Sequence, residues 1–296
     1  MGHLTLGSSR LLRRKIADAE LGRPGLAAAP PALPLRSMVD AAMRVRNAEA
    51  PWSDFSSHDY WSHNYEKMQP EDQEIIRRVS HFFIQVFDGR RPAQRAIDVG
   101  SGTNLYPALL MLPWTDHLLL TDHSASNVRW LRRHVEDDAS WTWEPFWQEL
   151  HELEGYNRIG EPRKQLQEAC VGEPGRTGIE QHSVFGLPRA QWQLGTMFFV
   201  AESITEDPAE FRAAIEGFVG ALQPGAPFAA TFMAGSDGYP VAGTRFPALR
   251  IIPDDVTKRF TELGASELSV KLTQTHHRVR PGYAGMFVAT GIAGGR

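Results

Sequence analysis

Two glycines and one acidic residue have the types and the spacing of a nucleoside-binding site. Gly100 and Gly102 lie in a turn directly after an apolar run, and Asp122 follows 22 residues after Gly100. Glycines let the backbone approach a ligand closely, and an acid at the end of the next strand can accept hydrogen bonds from ribose hydroxyls. A dinucleotide-binding turn has a third glycine where this chain has Leu105, which disfavours an NAD-dependent oxidoreductase. The alternative interpretation of the same pattern is a structural turn that binds no ligand.

Short apolar strands that alternate with helices must position this turn. Strands are predicted at residues 95–100, 117–122, 179–185, 193–199, 227–233, 268–273 and 285–293. Helices are predicted at residues 70–87, 105–112, 124–135, 207–222 and 254–263, and Asp207 and Glu210 form a predicted capping box in the fourth of these. The alternation indicates an α/β protein with a mainly parallel sheet covered on both faces. Such sheets bind ligands at the carboxyl ends of their strands, where Gly100 lies.

Other side chains are predicted at the same end of the sheet. Glu202 and Ser203 follow the strand at 193–199, and Glu202 is the candidate to orient an acceptor N–H or to take its proton. A structural cap is the alternative role for Glu202. Four aromatic residues could form one wall of a pocket for a flat ring: Trp141, Trp143, Phe146 and Trp147. The alternative is that they fill the core of an insertion. Further candidates for the pocket mouth are Tyr239, His276 and His277.

Composition and charge exclude several classes of protein. The chain has 296 residues, of which 42% are hydrophobic, and 31 basic residues against 35 acidic ones give a net charge of −4. This balance disfavours nucleic acid as a partner. Cys170 is the one cysteine in the sequence, so neither an internal disulfide nor a multi-cysteine zinc site is expected, and no metal site is predicted. No run approaches the length of a membrane-spanning helix, and no secretory signal is recognised, so we expect a cytoplasmic protein without a membrane partner.

The chain is expected to form one domain after an N-terminal tail. Residues 1–36 contain a stretch rich in alanine and proline and are predicted to be a flexible extension. Residues 37–296 are predicted to form the domain, with a helical cap at 37–92 and an aromatic-rich insertion at about 136–176. The sequence contains no internal repeat. Its oligomeric state is expected to be a monomer or a homodimer.

Longer motifs make the chain resemble a known family. They are I-D-V-G-S-G at 97–102, D-Y-W-S-H-N-Y at 59–65, G-S-G-T-N-L-Y at 100–106, T-D-H-S-A-S-N at 121–127 and A-L-Q-P-G-A at 221–226. With W-x-P at 143–145 and L-E-G at 153–155, the set resembles class I S-adenosylmethionine-dependent methyltransferases of the nicotinamide, phenylethanolamine and thioether methyltransferase family. The resemblance implies a Rossmann-like, seven-stranded sheet with an N-terminal helical cap. It also implies an enzyme that uses S-adenosylmethionine and releases S-adenosylhomocysteine.

The resemblance implies a role for each matching position. Tyr60 and Tyr65 would close over the methionine part of the cofactor. The alternative for both tyrosines is ordinary core packing without a role in binding. The remaining cofactor-binding candidates run from the glycine turn to the adenine: Gly100, Ser101, Gly102, Asn104, Tyr106 for the carboxylate end, Asp122 for the ribose, His123 and Asn127 for the adenosine, and Ser183 and Val184 for the adenine. Ser183 and Val184 stand where the family often has Asp-Val. Tyr65 and Glu202 are the candidate catalytic residues.

The acceptor is expected to be a small aromatic molecule. Amine-methylating relatives have an acid just after the fifth strand, whereas this chain has Met233-Ala234-Gly235, with Asp237 later. We therefore expect an indole-like heterocycle of secondary metabolism, methylated at carbon or at a ring nitrogen. The substrate-binding candidates are Trp147, Glu202, Met233, Asp237 and Tyr239. N-methylation of an aliphatic or arylalkyl amine is the alternative, and a non-catalytic, methyltransferase-like binding protein is a further one.

Overall fold

The strands and helices agree closely with those predicted. A computed structural model describes residues 44–136, 141–171, 178–273 and 282–295. The strands are β1 (Ala93–Val99), β2 (Thr115–Asp122), β3 (Ile179–Gln181), β4 (Leu194–Phe198), β5 (Pro227–Ala234), β6 (Tyr239–Val241), β7 (Thr244–Phe246), β8 (Ser266–Leu272) and β9 (Gly285–Ile292). The helices are α1 (Ser57–Asn64), α2 (Pro70–Phe87), α3 (Tyr106–Met111), α4 (Ala125–Val135), α5 (Glu144–Gln148), α6 (Pro162–Val171), α7 (Pro208–Ala221) and α8 (Pro253–Glu262).

Seven strands form one sheet in the order β3-β2-β1-β4-β5-β9-β8. Strands β1 to β5 pair in parallel, whereas β9 pairs antiparallel with both β5 and β8. The chain moves outward from β1 to β3 and then crosses to β4 on the other side of β1. This reversal opens a crevice at the carboxyl ends of β1 and β4, which is the usual ligand site in open α/β sheets. The topology confirms the predicted seven-stranded, Rossmann-like fold.

Local sequence explains why the central elements form where they do. The last four residues of β1, the last three of β2 and all of β5 are buried, as apolar strands covered on both faces should be. Helix α2 begins at Pro70, whose missing N–H is not needed in the first turn. The Asp207 side chain caps α7 by accepting a 2.8 Å hydrogen bond from the backbone of Ala209.

The predicted capping box at α7 does not form. Glu210 Oε2 instead accepts hydrogen bonds from the backbone N–H of Asn47 at 2.8 Å and from the Thr205 hydroxyl at 2.6 Å. Residues 44–56, which precede α1, are held against the start of α7 by this bond and by a bond from Val45 N to Glu206 Oε2 of 3.1 Å. Glu210 therefore positions a distant segment rather than its own helix terminus.

Two other elements differ from prediction. Strand β3 ends at Gln181 rather than at residue 185, because its pairing with β2 ends at Asp122 and the Ser183 hydroxyl then accepts a hydrogen bond from Phe185 N at the start of a 3-10 turn. Strands β6 and β7 form a hairpin that was not predicted. Each of these two strands has only three residues, too few to show an alternating pattern.

Apolar side chains pack on both faces of the sheet. On one face, the described part of the insertion contributes Trp143, Phe146 and Trp147, each with less than 5% of its surface exposed. The predicted extension at 1–36 lies outside the described residues, as do residues 137–140 and 172–177 of the insertion and the candidates His276 and His277. Of the helices that are described, none has both the length and the hydropathy needed to span a membrane.

Candidate active site

A cleft opens at the carboxyl ends of β1 and β4, where the topology predicts a ligand. It has about 770 Å³ of empty space, including the part open to solvent. Its wall combines the glycine turn after β1, the residues after β2 and β4, the start of α1 and the β6–β7 hairpin. Asp122 is the one carboxylate among the described residues that line it, and no lysine or arginine belongs to this set.

The glycine turn needs glycine for two separate reasons. Gly100 has φ +68° and Gly102 has φ +56°, a region that side-chain-bearing residues rarely adopt. A β-carbon on Gly100 would also lie 2.5 Å from Val200 Cγ2, which is too close for any real contact. Gly102 has no such neighbour, so its requirement is conformational alone. Backbone therefore forms this part of the cleft wall.

Asp122 is buried and its carboxylate is held from three directions. Oδ2 accepts a hydrogen bond from Gly102 N at 2.9 Å, while Oδ1 accepts bonds from Ser124 N at 2.7 Å and from the Asn127 amide at 3.1 Å. Burial raises the pKa of Asp122, and these hydrogen bonds oppose the shift. Oδ2 accepts only one of these bonds and therefore has a further lone pair. The group is thus oriented with capacity to accept from a ligand hydroxyl.

Two tyrosines and an asparagine form the next part of the wall. The rings of Tyr60 and Tyr65 lie 6.2 Å apart, and both line the cleft with Asn104. Burial, followed by the nearby Tyr60 and Asp72, raises the pKa of Tyr65 well above its ordinary value. Tyr65 is therefore a protonated hydrogen-bond donor at neutral pH rather than a base.

Tyr106 lies behind this wall and does not reach the cleft. It is fully buried, its ring stacks on Phe146 at 5.5 Å, and its hydroxyl donates a 3.2 Å hydrogen bond to Asp72 Oδ1. The resemblance gives Tyr106 to the carboxylate end of the cofactor. In this structure Tyr106 contacts three residues that line the cleft, Tyr65, Asn104 and Phe198, without lining it itself.

The opposite end of the cleft is lined by His123, His182, Ser183 and Val184. His182 Nε2 lies 2.9 Å from Glu180 Oε2, and the Gln181 amide donates to the backbone oxygen of His123 at 2.8 Å. The second contact holds the end of β3 against the segment after β2. His182 was not singled out from the sequence, because no motif there distinguished it from its neighbours.

Aromatic rings cover the cleft at the end next to α1. We call this group the aromatic cap, and it consists of Trp52, Phe55, Tyr60, Tyr239 and Phe246. Adjacent rings lie 5.1 to 6.2 Å apart, including 5.4 Å between Trp52 and Phe246 and 6.0 Å between Tyr60 and Tyr239. All but Phe246 line the cleft. Trp52 and Phe55 were missed from the sequence because their partner Phe246 is about 190 residues away.

Backbone strain helps to shape the wall after β4. Phe199 has φ +58°, a conformation that costs a non-glycine residue roughly 1–3 kcal/mol, and its N–H is fixed by a 2.9 Å hydrogen bond to Thr231 O. This bend directs Phe199 and Val200 into the cleft, where Ser203 and Ile204 follow. None of these four residues except Ser203 was named from the sequence, since strain of this kind has no sequence signal.

Several predicted site residues lie away from the cleft. Glu202 has no exposed surface, and its Oε1 accepts hydrogen bonds from Met233 N at 3.0 Å and from the Ser203 hydroxyl at 3.2 Å. Met233 is buried, and Asp237 forms an ion pair with Arg250. Trp147 packs in the core against Tyr156, at 6.2 Å between ring centroids. Trp147 therefore does not line the cleft, whereas all rings of the aromatic cap except Phe246 do.

The remaining predicted residues come together. All of them line one cleft: Tyr60, Tyr65, Gly100, Ser101, Gly102, Asn104, Asp122, His123, Asn127, Ser183, Val184 and Tyr239. Within the part of the chain that the structure describes, histidine, cysteine, aspartate and glutamate form no group of three or more that could hold a metal ion.

The residues present fit a nucleoside cofactor with an amino-acid tail. Thr103 Oγ1 and Asn104 Nδ2 line the cleft, are buried and have no hydrogen-bond partner among the described residues. Buried polar atoms are normally satisfied, so these two are suited to a polar ligand group beside the glycine turn. Asp122 is positioned for ribose hydroxyls, and the backbone at Gly100 and Gly102 allows close approach. S-adenosylmethionine carries each of these groups.

Comparison with known proteins gives a consistent result. The NNMT/PNMT/TEMT family matches residues 44–290 of this chain. Nicotinamide N-methyltransferase of Sus scrofa is 24% identical over 253 residues, covering 82% of this chain and 94% of the relative. Indolethylamine N-methyltransferase of Mus musculus is 22% identical over 222 residues, covering 73% and 83%. A solved N-methyltransferase, NodS from Bradyrhizobium japonicum WM9 with S-adenosyl-L-homocysteine, has 14% identity, a TM-score of 0.46 and coverage of 79% and 92%.

Proposed function

Since the chain belongs to the NNMT/PNMT/TEMT family, whose members are S-adenosylmethionine-dependent methyltransferases, we propose that it methylates an aromatic heterocycle of the indole type. The methyl group goes to a carbon or a ring nitrogen of this acceptor. The observation that carries the proposal is the aromatic cap, which offers ring faces on the acceptor side and no charged group. A flat, neutral ring is the ligand that such a wall binds best.

The charges around the cleft support a neutral acceptor over an alkylammonium one. Asp237, the acid nearest in sequence to the family's amine-binding position, is paired with Arg250 and does not line the cleft. Glu202 is fully buried against Met233 N. Asp122, the carboxylate that does line the cleft, is held by Gly102 and Ser124 on the cofactor side. A cationic amine therefore has no acidic partner within the described wall on the acceptor side.

Methyl transfer requires little from the protein except alignment of the acceptor with the cofactor. Methyl transfer requires the nucleophile in line with the sulfonium methyl group at near-attack distance. The bound cofactor supplies the methyl group and leaves as S-adenosylhomocysteine. Attack by a neutral ring carbon or nitrogen makes the acceptor cationic, and the faces of Trp52, Phe55 and Tyr60 can stabilise that charge. A proton then leaving the ring passes to solvent, because Tyr65 is already protonated.

N-methylation of an arylalkyl or aliphatic amine is the second candidate. Both curated relatives described above are named as N-methyltransferases, and one of them is named for indolethylamine. In this case the cap holds the aryl ring and the amine reaches the cleft in its neutral form. Asn47 and Ser203, which line the cleft, are the polar side chains available to it.

Paired acceptors separate the two candidates. The protein is incubated with S-adenosylmethionine and with indole, 3-methylindole, tryptamine or phenylethylamine, and the methylated atom is identified by mass spectrometry and NMR. We expect a methylated ring with indole or 3-methylindole. Methylation confined to the side-chain nitrogen of the amines would reject the proposal in favour of the second candidate. Absence of any product, with calorimetric binding of S-adenosylhomocysteine intact, would reject both acceptor classes.

The cap itself is tested with a matched pair of variants. Trp52→Ala removes a ring from the cap, and Trp141→Ala removes a ring of equal size that does not line the cleft. We expect Trp52→Ala to raise KM for the acceptor by about tenfold, the scale of losing one well-packed aromatic contact. Affinity for S-adenosylhomocysteine should stay within about twofold in both. An equal rise of KM in both variants would show that the cap does not bind the acceptor.

The division of the chain is part of the same proposal. We take residues 37–296 as the catalytic domain and residues 1–36 as an extension that the reaction does not need. A chain shortened to begin at residue 37 should bind S-adenosylhomocysteine as the full chain does. A loss of binding would assign the first 36 residues to the site.

A further inference from the structure

Every buried charged side chain in the described part of the protein is acidic. No described lysine, arginine or histidine has less than 9% of its surface exposed. Five carboxylic residues do: Glu71, Asp72, Asp98, Asp122 and Glu202. Buried carboxylates without buried bases make the interior a favourable environment for a cation. Asp72 is the member whose contacts lead from the interior to the end of the cleft that is suited to the cofactor's amino-acid tail.

Asp72 lies directly behind the cleft wall. It is 2% exposed, its Oδ2 accepts a 3.2 Å hydrogen bond from Gln69 N, and its Oδ1 accepts the 3.2 Å bond from the Tyr106 hydroxyl. The Tyr106 ring lies 6.2 Å from that of Tyr65, which lines the cleft. One side chain therefore separates the Asp72 carboxylate from the wall.

A second observation assigns a ligand to this end of the cleft. Asn104 is 5% exposed and lies against the hydroxyls of both Tyr65 and Tyr106, while its Nδ2 has no hydrogen-bond partner among the described residues. The Thr103 hydroxyl beside it is fully buried and is in the same condition. These donors suit an anionic or carbonyl oxygen, whereas the carboxylate behind them suits a positive charge. The amino-acid end of the cofactor, next to its sulfonium, has both.

We propose that Asp72 is a positioning residue which, through Tyr106 and Tyr65, makes the site prefer the positively charged sulfonium cofactor over the neutral thioether product. The inference concerns the cofactor site and does not depend on which acceptor is methylated. Transfer of the methyl group removes the positive charge from sulfur, so the attraction to Asp72 ends with the reaction. Loss of this attraction favours exchange of product for fresh cofactor.

The protonation of Asp72 must then matter. Burial raises its pKa to about 7, while the Gln69 N–H and the Tyr106 hydroxyl oppose the rise and Glu71 on the same helix adds to it. The titratable groups that face it from other elements are Tyr106 of α3 and Tyr65 after α1. A cation in the cleft stabilises the ionised form. Binding of S-adenosylmethionine should therefore strengthen as the pH rises through 7.

The test is the ratio of two affinities, measured by calorimetry without any acceptor. S-adenosylmethionine and S-adenosylhomocysteine differ at sulfur by one methyl group and one charge. Asp72→Asn keeps the size of the side chain and one of its two acceptor oxygens but removes the charge. We expect it to lower the preference for the sulfonium form by at least about tenfold, because it removes the buried charge that attracts the sulfonium ligand and not the neutral thioether. Asp88→Asn removes the same charge from the exposed end of α2 and should leave the ratio unchanged.

Two results would overturn the proposal. One is an equal weakening of both ligands in Asp72→Asn, as expected for a purely structural role, and the other is an unchanged ratio. If Asp72→Asn does not fold, as judged by circular dichroism, the proposal is tested on the native protein by the pH dependence of its ligand preference. Its preference for the sulfonium form should rise several-fold between pH 6.0 and 7.5, and a constant preference over that range would refute the role of Asp72.

Discussion

The Ser57 hydroxyl donates a 2.8 Å hydrogen bond to the side-chain oxygen of Asn127, and both residues are buried. This bond joins the first residue of α1, the helix that carries Tyr60, to α4. The amide group of Asn127 donates in turn to Asp122 Oδ1 at 3.1 Å. The position of α1 and the orientation of the Asp122 carboxylate are thereby linked through one asparagine.

Ser57→Ala should weaken cofactor binding without unfolding the protein. The variant leaves the Asn127 oxygen unsatisfied and frees its amide to turn away from Asp122. A typical net hydrogen bond contributes about 1 kcal/mol, so we expect about a fivefold loss of affinity for S-adenosylhomocysteine in calorimetry. Ser62→Ala, in the same helix but bonded to Glu66 at the surface, is the control. Equal effects of the two substitutions would show that the bond to Asn127 has no part in binding.

Gly100→Ala should abolish cofactor binding, because an alanine there meets both an unfavourable φ and Val200 Cγ2 at 2.5 Å. Gly89→Ala is a matched control, since Gly89 has a similar φ of +65° but nothing within 4 Å of an added β-carbon. The φ penalty alone is about 1–2 kcal/mol, so Gly89→Ala should lower the melting temperature by a few degrees and leave binding unchanged. Retained binding in Gly100→Ala would contradict the close approach of backbone to ligand.

Because of Asp98, the free energy of unfolding should fall as the pH rises. Burial raises the pKa of Asp98 to about 7, against about 3.9 in an unfolded chain. Between these values the folded protein keeps a proton that the unfolded chain has lost. The contribution to stability is therefore full below about pH 4 and is lost as the pH approaches 7.

The measurement is the free energy of unfolding in urea between pH 5 and 8. Asp98→Asn cannot titrate, so its stability should fall less steeply over this range than that of the native protein. Asp72 titrates in the same range and will leave part of the slope. Substitution of the exposed Asp116 by asparagine should preserve the native slope. Parallel curves for the native protein and Asp98→Asn would be inconsistent with a raised pKa.

Glu202→Gln should change kcat by no more than about threefold. Glu202 lies outside the cleft wall and accepts bonds from Met233 N and the Ser203 hydroxyl, both of which a glutamine oxygen can accept. Removal of a true general base costs about 100- to 10,000-fold. Steady-state rates with a methylated acceptor, together with the melting temperature, distinguish the two roles. A hundredfold loss of kcat in a normally stable variant would restore Glu202 as a catalytic residue.

Local signals explain which features were predictable from sequence. Gly100 and Asp122 each end a short apolar strand, so their positions follow from pattern and topology alone. The capping role of Asp207 follows from its position before Pro208. The family assignment and the seven-stranded fold were both confirmed because their motifs lie within these local elements.

Contacts between distant segments explain the rest. Trp147 and Trp52 have the same chemistry, and only packing decides that the first enters the core and the second lines the cleft. Glu210 satisfies Asn47 N from more than 160 residues away, a pairing that no local capping rule anticipates. Glu202 lies between Val200 and Ser203, which both line the cleft, yet its own side chain is fully buried in the interior.

The aromatic cap has a consequence for how this enzyme can diverge. Its rings come from residues 52–60 and from the β6–β7 hairpin, both outside the seven-stranded sheet and its glycine turn. With the cap as the proposed acceptor site, substitutions in these two short segments would alter acceptor choice and leave the glycine turn and Asp122 unchanged. New acceptor preferences would then arise by exchange of two short segments on an unchanged sheet.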